Sequence, residues 1–258
     1  MSRQTSLLAR ERIPQRLDQG LEWIDDPRFA FPFLLRKGGY GYVASLLVLL
    51  HEAGECETQF AAVADGIAEG VAVVMPRACV PLRRGAFAWD LPALDASGCH
   101  DMSATFRSSL EGTLGFVGML QAWLGVDASR TAIAGFGQGG LLAASVALDA
   151  TQPAHGLGVL GGRLPLPGEM LAMGAGHGHL HAFVGHGVLD ERMPLEHAER
   201  TVAQLAGQGS ECRQRRYLAK HELTPQMRGD FAAWFNESWL DRTVLASPLA
   251  NGDTSFWG

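Results

Sequence analysis

Apolar positions along the chain switch between a period of two or continuous runs and a period near 3.6, and the switches mark alternating strands and helices. Ala44 to Leu50 (ASLLVLL) is an unbroken apolar run of strand length, the pattern of a strand covered on both faces. Val71 to Met75, Thr131 to Ala134, Gly156 to Leu160 and Leu180 to Val184 read as further strands, and Glu211 to Leu218 as the last. Leu21 to Ile24 and Phe29 to Leu35 read as early strands, an antiparallel pair at a sheet edge. Phe106, Leu110, Leu114, Val117 and Leu124 recur at helical spacing and predict a helix over 101–124; Leu141 to Asp149 predicts another. Over 194–206, Leu195, Ala198, Val202 and Leu205 share one face of an amphipathic helix, with Gly207 at its end. Thr224-Pro225 has the form of an N-cap followed by a first-turn proline, opening a final helix whose core face is Met227, Phe231, Trp234 and Phe235. The Pro-, Arg- and Gly-rich stretch 76–98 predicts a loop or partial lid. Strands alternating with helices imply an α/β fold, a mostly parallel sheet with helices on both faces.

Length then sets the organisation. A chain of 258 residues is within the range of a single α/β domain. We expect one domain over 21–240, preceded by an arm, 1–20, and followed by a tail, 241–258, that is weakly ordered unless Phe256 and Trp257 dock. A net charge of −6 gives no basic footprint for nucleic acid. No apolar run reaches the roughly 18 residues of a membrane span, and the start lacks a secretory segment, so a cytoplasmic location is expected.

Cysteine and histidine add little chemistry. Cys56, Cys79, Cys99 and Cys212 lack C-x-x-C spacing and read as reduced thiols; Cys79 has no base at motif spacing. His177, His179 and His181 alternate, with His186 beyond, and would share a face on a strand. A zinc or copper site is one reading, but Gly174, Gly176 and Gly178 make the stretch a loop and no Cys or acid adjoins it. A solvated turn is the preferred reading, and neither a metal nor another cofactor is expected.

The chemistry lies at Gly135-Phe136-Gly137-Gln138-Gly139-Gly140, between a strand and a helix. A Gly-rich turn there can be a plain tight connection or a phosphate-binding loop. It also has the spacing of a nucleophile elbow, G-x-S-x-G, with glycine at the central position, where strain favours small residues.

From about Leu21 to Leu240 the chain resembles the phospholipase/carboxylesterase family of α/β-hydrolases, which includes the acyl-protein thioesterases. Leu49-Leu50-His51-Glu52-Ala53-Gly54-Glu55 stands where the family has L-L-H-G-x-G-G/D. Met75-Pro76-Arg77-Ala78 resembles A-P-R-A, and Ala88-Trp89-Asp90 resembles W-F-D. Gly135 to Gly140 resembles G-F-S-Q-G-G without its serine. His186 to Pro194 resembles H-G-x-x-D-x-x-V-P, and Tyr217 to Glu222 resembles the segment that carries the family's histidine. The resemblance implies an α/β-hydrolase fold in which Asp190 orients His221, and His221 serves residue 137. It implies an oxyanion hole from the backbone N–H groups of Ala53 and Gln138, with Trp89, His51 and Phe136 as substrate contacts.

Two departures change what that site could do. Gly137 has no hydroxyl for a base to activate. Glu52 stands where glycine is usual, and a carboxylate there opposes a forming oxyanion unless it is protonated or turned away; Glu55 adds a second acid. Three readings stay open. The site performs acid–base chemistry on a small carbonyl compound: direct water attack, lactone opening, or isomerisation and elimination. Alternatively, it is a pseudo-hydrolase that binds a small acyl or aromatic ligand, or a serine-to-glycine variant of an active carboxylesterase. A homodimer is the default assembly.

Overall fold

The computed structural model describes residues 20–39, 43–91, 103–166 and 179–240. Its strands are β1 (Leu21–Ile24), β2 (Phe33–Arg36), β3 (Ser45–Leu50), β4 (Val71–Pro76), β5 (Val80–Arg83), β6 (Ala86–Ala88), β7 (Thr131–Phe136), β8 (Gly156–Leu160), β9 (His181–Gly187) and β10 (Glu211–Tyr217). Its helices are α1 (Ala61–Asp65), α2 (Ala104–Leu124), α3 (Gln138–Ala147), α4 (Glu196–Gly207) and α5 (Pro225–Trp234), the last continued by a π-helical segment, Phe235–Leu240. Eight strands form one sheet in the order β1-β2-β4-β3-β7-β8-β9-β10. β1–β2 and β2–β4 pair antiparallel, and every other neighbour in that sheet is parallel. The early edge pair is where the alternation places it. β2 starts only at Phe33, because Phe29 and Phe31 instead turn edge-on to Phe116 of α2.

Strand alternation divides the interior in two. Leu46, Val48 and Leu50 of β3 face one core with α2, α3 and α4, while Leu47 and Leu49 face the other with α1 and α5. Every residue of β3, β4, β7 and β8 is buried, as strands with helices on both sides must be. α2 begins at Ala104 with Ser103 as N-cap, its side chain accepting from Phe106 N at 3.0 Å; positions 101 and 102 lie outside the described residues. Thr224 caps α5 by accepting from Met227 N at 3.1 Å, and Pro225 opens it. Thr224→Ala should lower stability by about 1 kcal/mol, read from the denaturant midpoint. The stretch expected as loop or lid contains the β5–β6 hairpin, joined to Glu55 by a bridge to Phe87; 92–98 lie outside the described residues. Residues 1–19 and 241–258 also lie outside them.

α3 starts at Gln138, three residues earlier than its apolar pattern suggests. The two glycines that read as turn are its first turn. A Cβ on Gly139 would collide with the backbone of Leu50 and His51, and one on Gly135 with the backbone of Gly139, so these glycines let β3, β7 and α3 touch. The C-terminal ends of β3, β7, β9 and β10 thus converge on one edge of the sheet, where α/β folds place their sites.

Candidate active site

Gly137 joins β7 to α3 with φ 53° and ψ −114°, a backbone conformation that costs most residues about 1–3 kcal/mol and glycine little. Its N–H donates to Leu160 O at 2.9 Å and its carbonyl accepts from Leu141 N at 3.1 Å, which fixes the turn against β8 and α3. A Cβ built on Gly137 would land on Oε2 of Glu52, far inside van der Waals contact. The space a side chain would take at residue 137 is therefore filled by a carboxylate from the loop after β3.

That carboxylate is held from several sides. Oε2 accepts from Gln138 N at 2.8 Å, at the first residue of α3, where the positive end of the helix favours an anion. The backbone N–H of Glu52 donates to Gln59 Oε1 at 2.9 Å, and its carbonyl accepts from Glu55 N at 3.1 Å and His51 Nδ1 at 2.8 Å. His51 Nε2 accepts from Ala78 N at 3.1 Å, so the ring is the neutral Nδ1–H tautomer, and burial holds its pKa below the ordinary value. Trp89 Nε1 donates to His51 O at 2.9 Å. Both His51 and Trp89, 1 % and 0 % exposed, brace the loop from behind. The Gln138 side chain adds a clamp, its Oε1 accepting from Trp89 N at 2.8 Å and its Nε2 donating to Asp90 O at 3.0 Å.

Across from Glu52 lies His221, on the segment between β10 and α5. His221 Nδ1 donates to Asp190 Oδ2 at 2.6 Å, and Nε2 stands 3.5 Å from Glu52 Oε2. Asp190 Oδ1 accepts from Arg192 N at 3.0 Å and Met193 N at 2.8 Å, so its carboxylate is fixed by its own turn. Phe136 packs against the imidazole, centroids 4.9 Å apart. Glu52 contributes most to raising the pKa of His221 above the ordinary imidazole value; burial opposes it, and Asp190 adds to it. The arrangement is an imidazole between two carboxyl groups, with side-chain exposures of 8 % for His221, 10 % for Glu52 and 1 % for Asp190. It can give or take a proton at Nε2 and offer a carboxylate beside it.

The sequence-derived residues Glu52, Gly137, Gln138, Asp190, His221 and Phe136 meet here. Ala53 follows Glu52 and is half-buried; Glu55 is exposed. Three supports had been given no such role from the sequence. Gln59 takes the Glu52 N–H. Arg77 forms a two-pronged ion pair with buried Glu57, at 2.8 and 2.5 Å, while its guanidinium lies against Trp23 and Phe87. His186, fully buried, donates from Nε2 to Met193 O at 2.6 Å and lies 3.7 Å from Asp190 Oδ2. The first two depend on contacts across loops, for which local pattern carries no signal; His186 was visible as the first residue of its motif. Of the alternating histidines, His177 lies outside the described residues, His179 Nδ1 donates to Gly209 O at 3.0 Å, and His181 stands 3.5 Å from Glu211. No group of three His, Cys, Asp or Glu side chains that could hold a metal ion occurs among the described residues. No helix among them is long and apolar enough to cross a membrane.

A family model described as phospholipase/carboxylesterase matches residues 42–237. No curated protein sequence matches the chain. Among solved structures, a carboxylesterase from Mesorhizobium loti superposes with TM-score 0.68 at 19% identity, over 84% of this chain and 99% of that one. A Bacillus cereus carboxylesterase gives 0.67 at 18% identity, over 83% and 94%. Acyl-protein thioesterase 2 of Zea mays gives 0.58 at 17% identity, over 79% and 96%. At these identities the likeness is one of fold, the α/β-hydrolase fold with its mostly parallel sheet.

Proposed function

The chain belongs to the phospholipase/carboxylesterase family, and we propose that its site acts on a small carbonyl compound by acid–base chemistry, with no acyl-enzyme on residue 137. One observation carries this reading: the Glu52 carboxylate fills the volume a serine side chain would need at Gly137 and stands 3.5 Å from His221 Nε2. Glu52 is the base that takes a proton from water or from the carbon next to a carbonyl. His221, whose protonated form its two acidic neighbours favour, is the acid that protonates the oxygen on which charge develops; Asp190 holds its tautomer. Direct hydrolysis, lactone opening, and isomerisation or elimination beside a carbonyl all fit that pair. An isolated serine-to-glycine change in an otherwise ordinary esterase fits less well, because any side chain at 137 would meet Glu52.

The test is a screen of small lactones, esters and thioesters. Turnover should survive treatment with a fluorophosphonate, which has no hydroxyl to label at residue 137, and His221→Ala should lower it by about 10²–10⁴. Turnover unchanged in His221→Ala would remove the reading. A second reading, a pseudo-hydrolase that binds a small acyl or aromatic ligand, is favoured by Gln138 N–H being satisfied by the protein's own carboxylate. It requires a ligand that raises the melting temperature with no product formed.

A further inference from the structure

We infer that Glu52 also serves as a covalent nucleophile toward compounds with an electrophilic saturated carbon, small epoxides above all, and that the site hydrolyses the ester so formed. This rests on the reading of Glu52, His221 and Asp190 as the working groups, and adds a second chemistry to them. The argument starts from which group occupies the anion-binding place. In acyl transfer the backbone donor at the start of α3 belongs to a substrate carbonyl oxygen. Here Gln138 N–H donates at 2.8 Å to Glu52 Oε2, so the acyl group already seated on that donor is the protein's own. The other carboxylate oxygen, Oε1, makes no hydrogen bond among the described residues, and the side chain keeps 10 % of its surface open. An ester formed on Oε1 would leave Oε2 as its carbonyl oxygen, still on Gln138 N–H, beside an imidazole held by Asp190 at 2.6 Å. An oxyanion donor and a base thus stand beside such an ester, with Glu52 Cδ as the carbon attacked.

The steps balance without a co-reactant other than water. Glu52 Oε1 attacks an epoxide carbon, the carbon–oxygen bond of the ring breaks, and the proton on His221 Nε2 passes to the ring oxygen. His221, now neutral, takes a proton from water as the water oxygen adds to Cδ, and Gln138 N–H holds the negative charge on Oε2. The bond from Cδ to Oε1 breaks, the proton on His221 passes to the departing alkoxide, and the new carboxyl group returns its proton to His221. The diol leaves with Oε1, and Glu52 keeps an oxygen from water. An attack by the same carboxylate on a carbonyl would give an anhydride, so the covalent route belongs to saturated carbon and the acid–base route to carbonyls.

The protein in excess over propylene oxide or styrene oxide, in heavy-oxygen water, reads the route directly by mass spectrometry. The first-turnover diol should carry no heavy oxygen, and the peptide containing Glu52 should gain one. His221→Gln and His221→Ala, which lack both the proton donor for ring opening and the base for water, should form the ester more slowly and then hold it, with the mass of the epoxide added to that peptide, and Glu52→Gln should consume no epoxide. Heavy oxygen in the first-turnover diol overturns the covalent role while the acid–base reading stands. Wild-type protein that hydrolyses carbonyl compounds but leaves both epoxides untouched does the same. Carbonyl turnover that persists in Glu52→Gln, together with no ester on Glu52, overturns both.

Discussion

Replacing Glu52 with Gly and Gly137 with Ser together is expected to give a protein that a fluorophosphonate labels stoichiometrically at residue 137, whereas Gly137→Ser alone stays unlabelled. In the single variant the new Cβ falls on Glu52 Oε2, so the carboxylate must leave a place fixed by Gln138 N. Overpacking of this kind costs about 1–3 kcal/mol, and the elbow at φ 53° adds strain of similar size for a residue with a Cβ. The single variant should therefore be destabilised by several kcal/mol and unreactive. In the double variant two obstacles go at once, since the collision is relieved and Gln138 N–H is freed as an oxyanion donor worth roughly 3–4 kcal/mol, while the hydroxyl faces an imidazole already paired with Asp190 at 2.6 Å. Loss of the serine from such a unit costs about 10⁶ in turnover, so hydrolysis of p-nitrophenyl acetate should rise by at least about 10³ even with imperfect alignment. Equal labelling of the single and double variants would mean Glu52 does not hold that space in solution. An unlabelled but folded double variant would mean the His221–Asp190 pair is not aligned with residue 137.

Much of this was legible in the sequence, for physical reasons that differ from residue to residue. β3 and β7 are apolar along their whole length because helices cover both faces, and that signal needs no partner to be read. Thr224-Pro225 marks a helix start through backbone chemistry that is local to it. Gly139 and Gly140 misled the placement of α3, since turn chemistry and close packing call for the same residue. At the site, the order of the motifs identified Glu52, Asp190 and His221, and their departures from pattern were visible at Glu52 and Gly137. What the sequence could not supply was that the two departures are coupled in space: residues 85 positions apart along the chain share a single volume, with the Glu52 carboxylate where a Gly137 side chain would stand. The loop supports were hidden for the same reason, because Gln59, and Arg77 with Glu57, act through contacts between segments that carry no common local pattern.

Glu52→Gln should separate the charge of this side chain from its shape. Glutamine can still accept from Gln138 N–H through its amide oxygen, so the elbow and the loop keep their geometry, but the base is gone and turnover should fall by about 10²–10⁴. The same substitution removes the largest influence raising the His221 pKa, so the imidazole should titrate at lower pH, read from its ring-proton NMR shifts. Stability follows with a definite sign. A histidine whose folded pKa lies above its unfolded value of 6.5 adds stability that is fully present below that pH and fades as pH rises through the folded value. The wild-type advantage over Glu52→Gln should accordingly be widest below pH 6.5 and narrow as the pH climbs and His221 loses its proton in both proteins. Weaker hydrogen bonding or poorer packing at residue 52 would offset the two curves by a constant amount, since neither depends on the charge of His221. Denaturant unfolding across that range therefore decides the matter: converging curves mean that Glu52 and His221 form a working ion pair. Parallel curves would mean that Glu52 only fills the space beside Gly137, and the acid–base reading would lose its base.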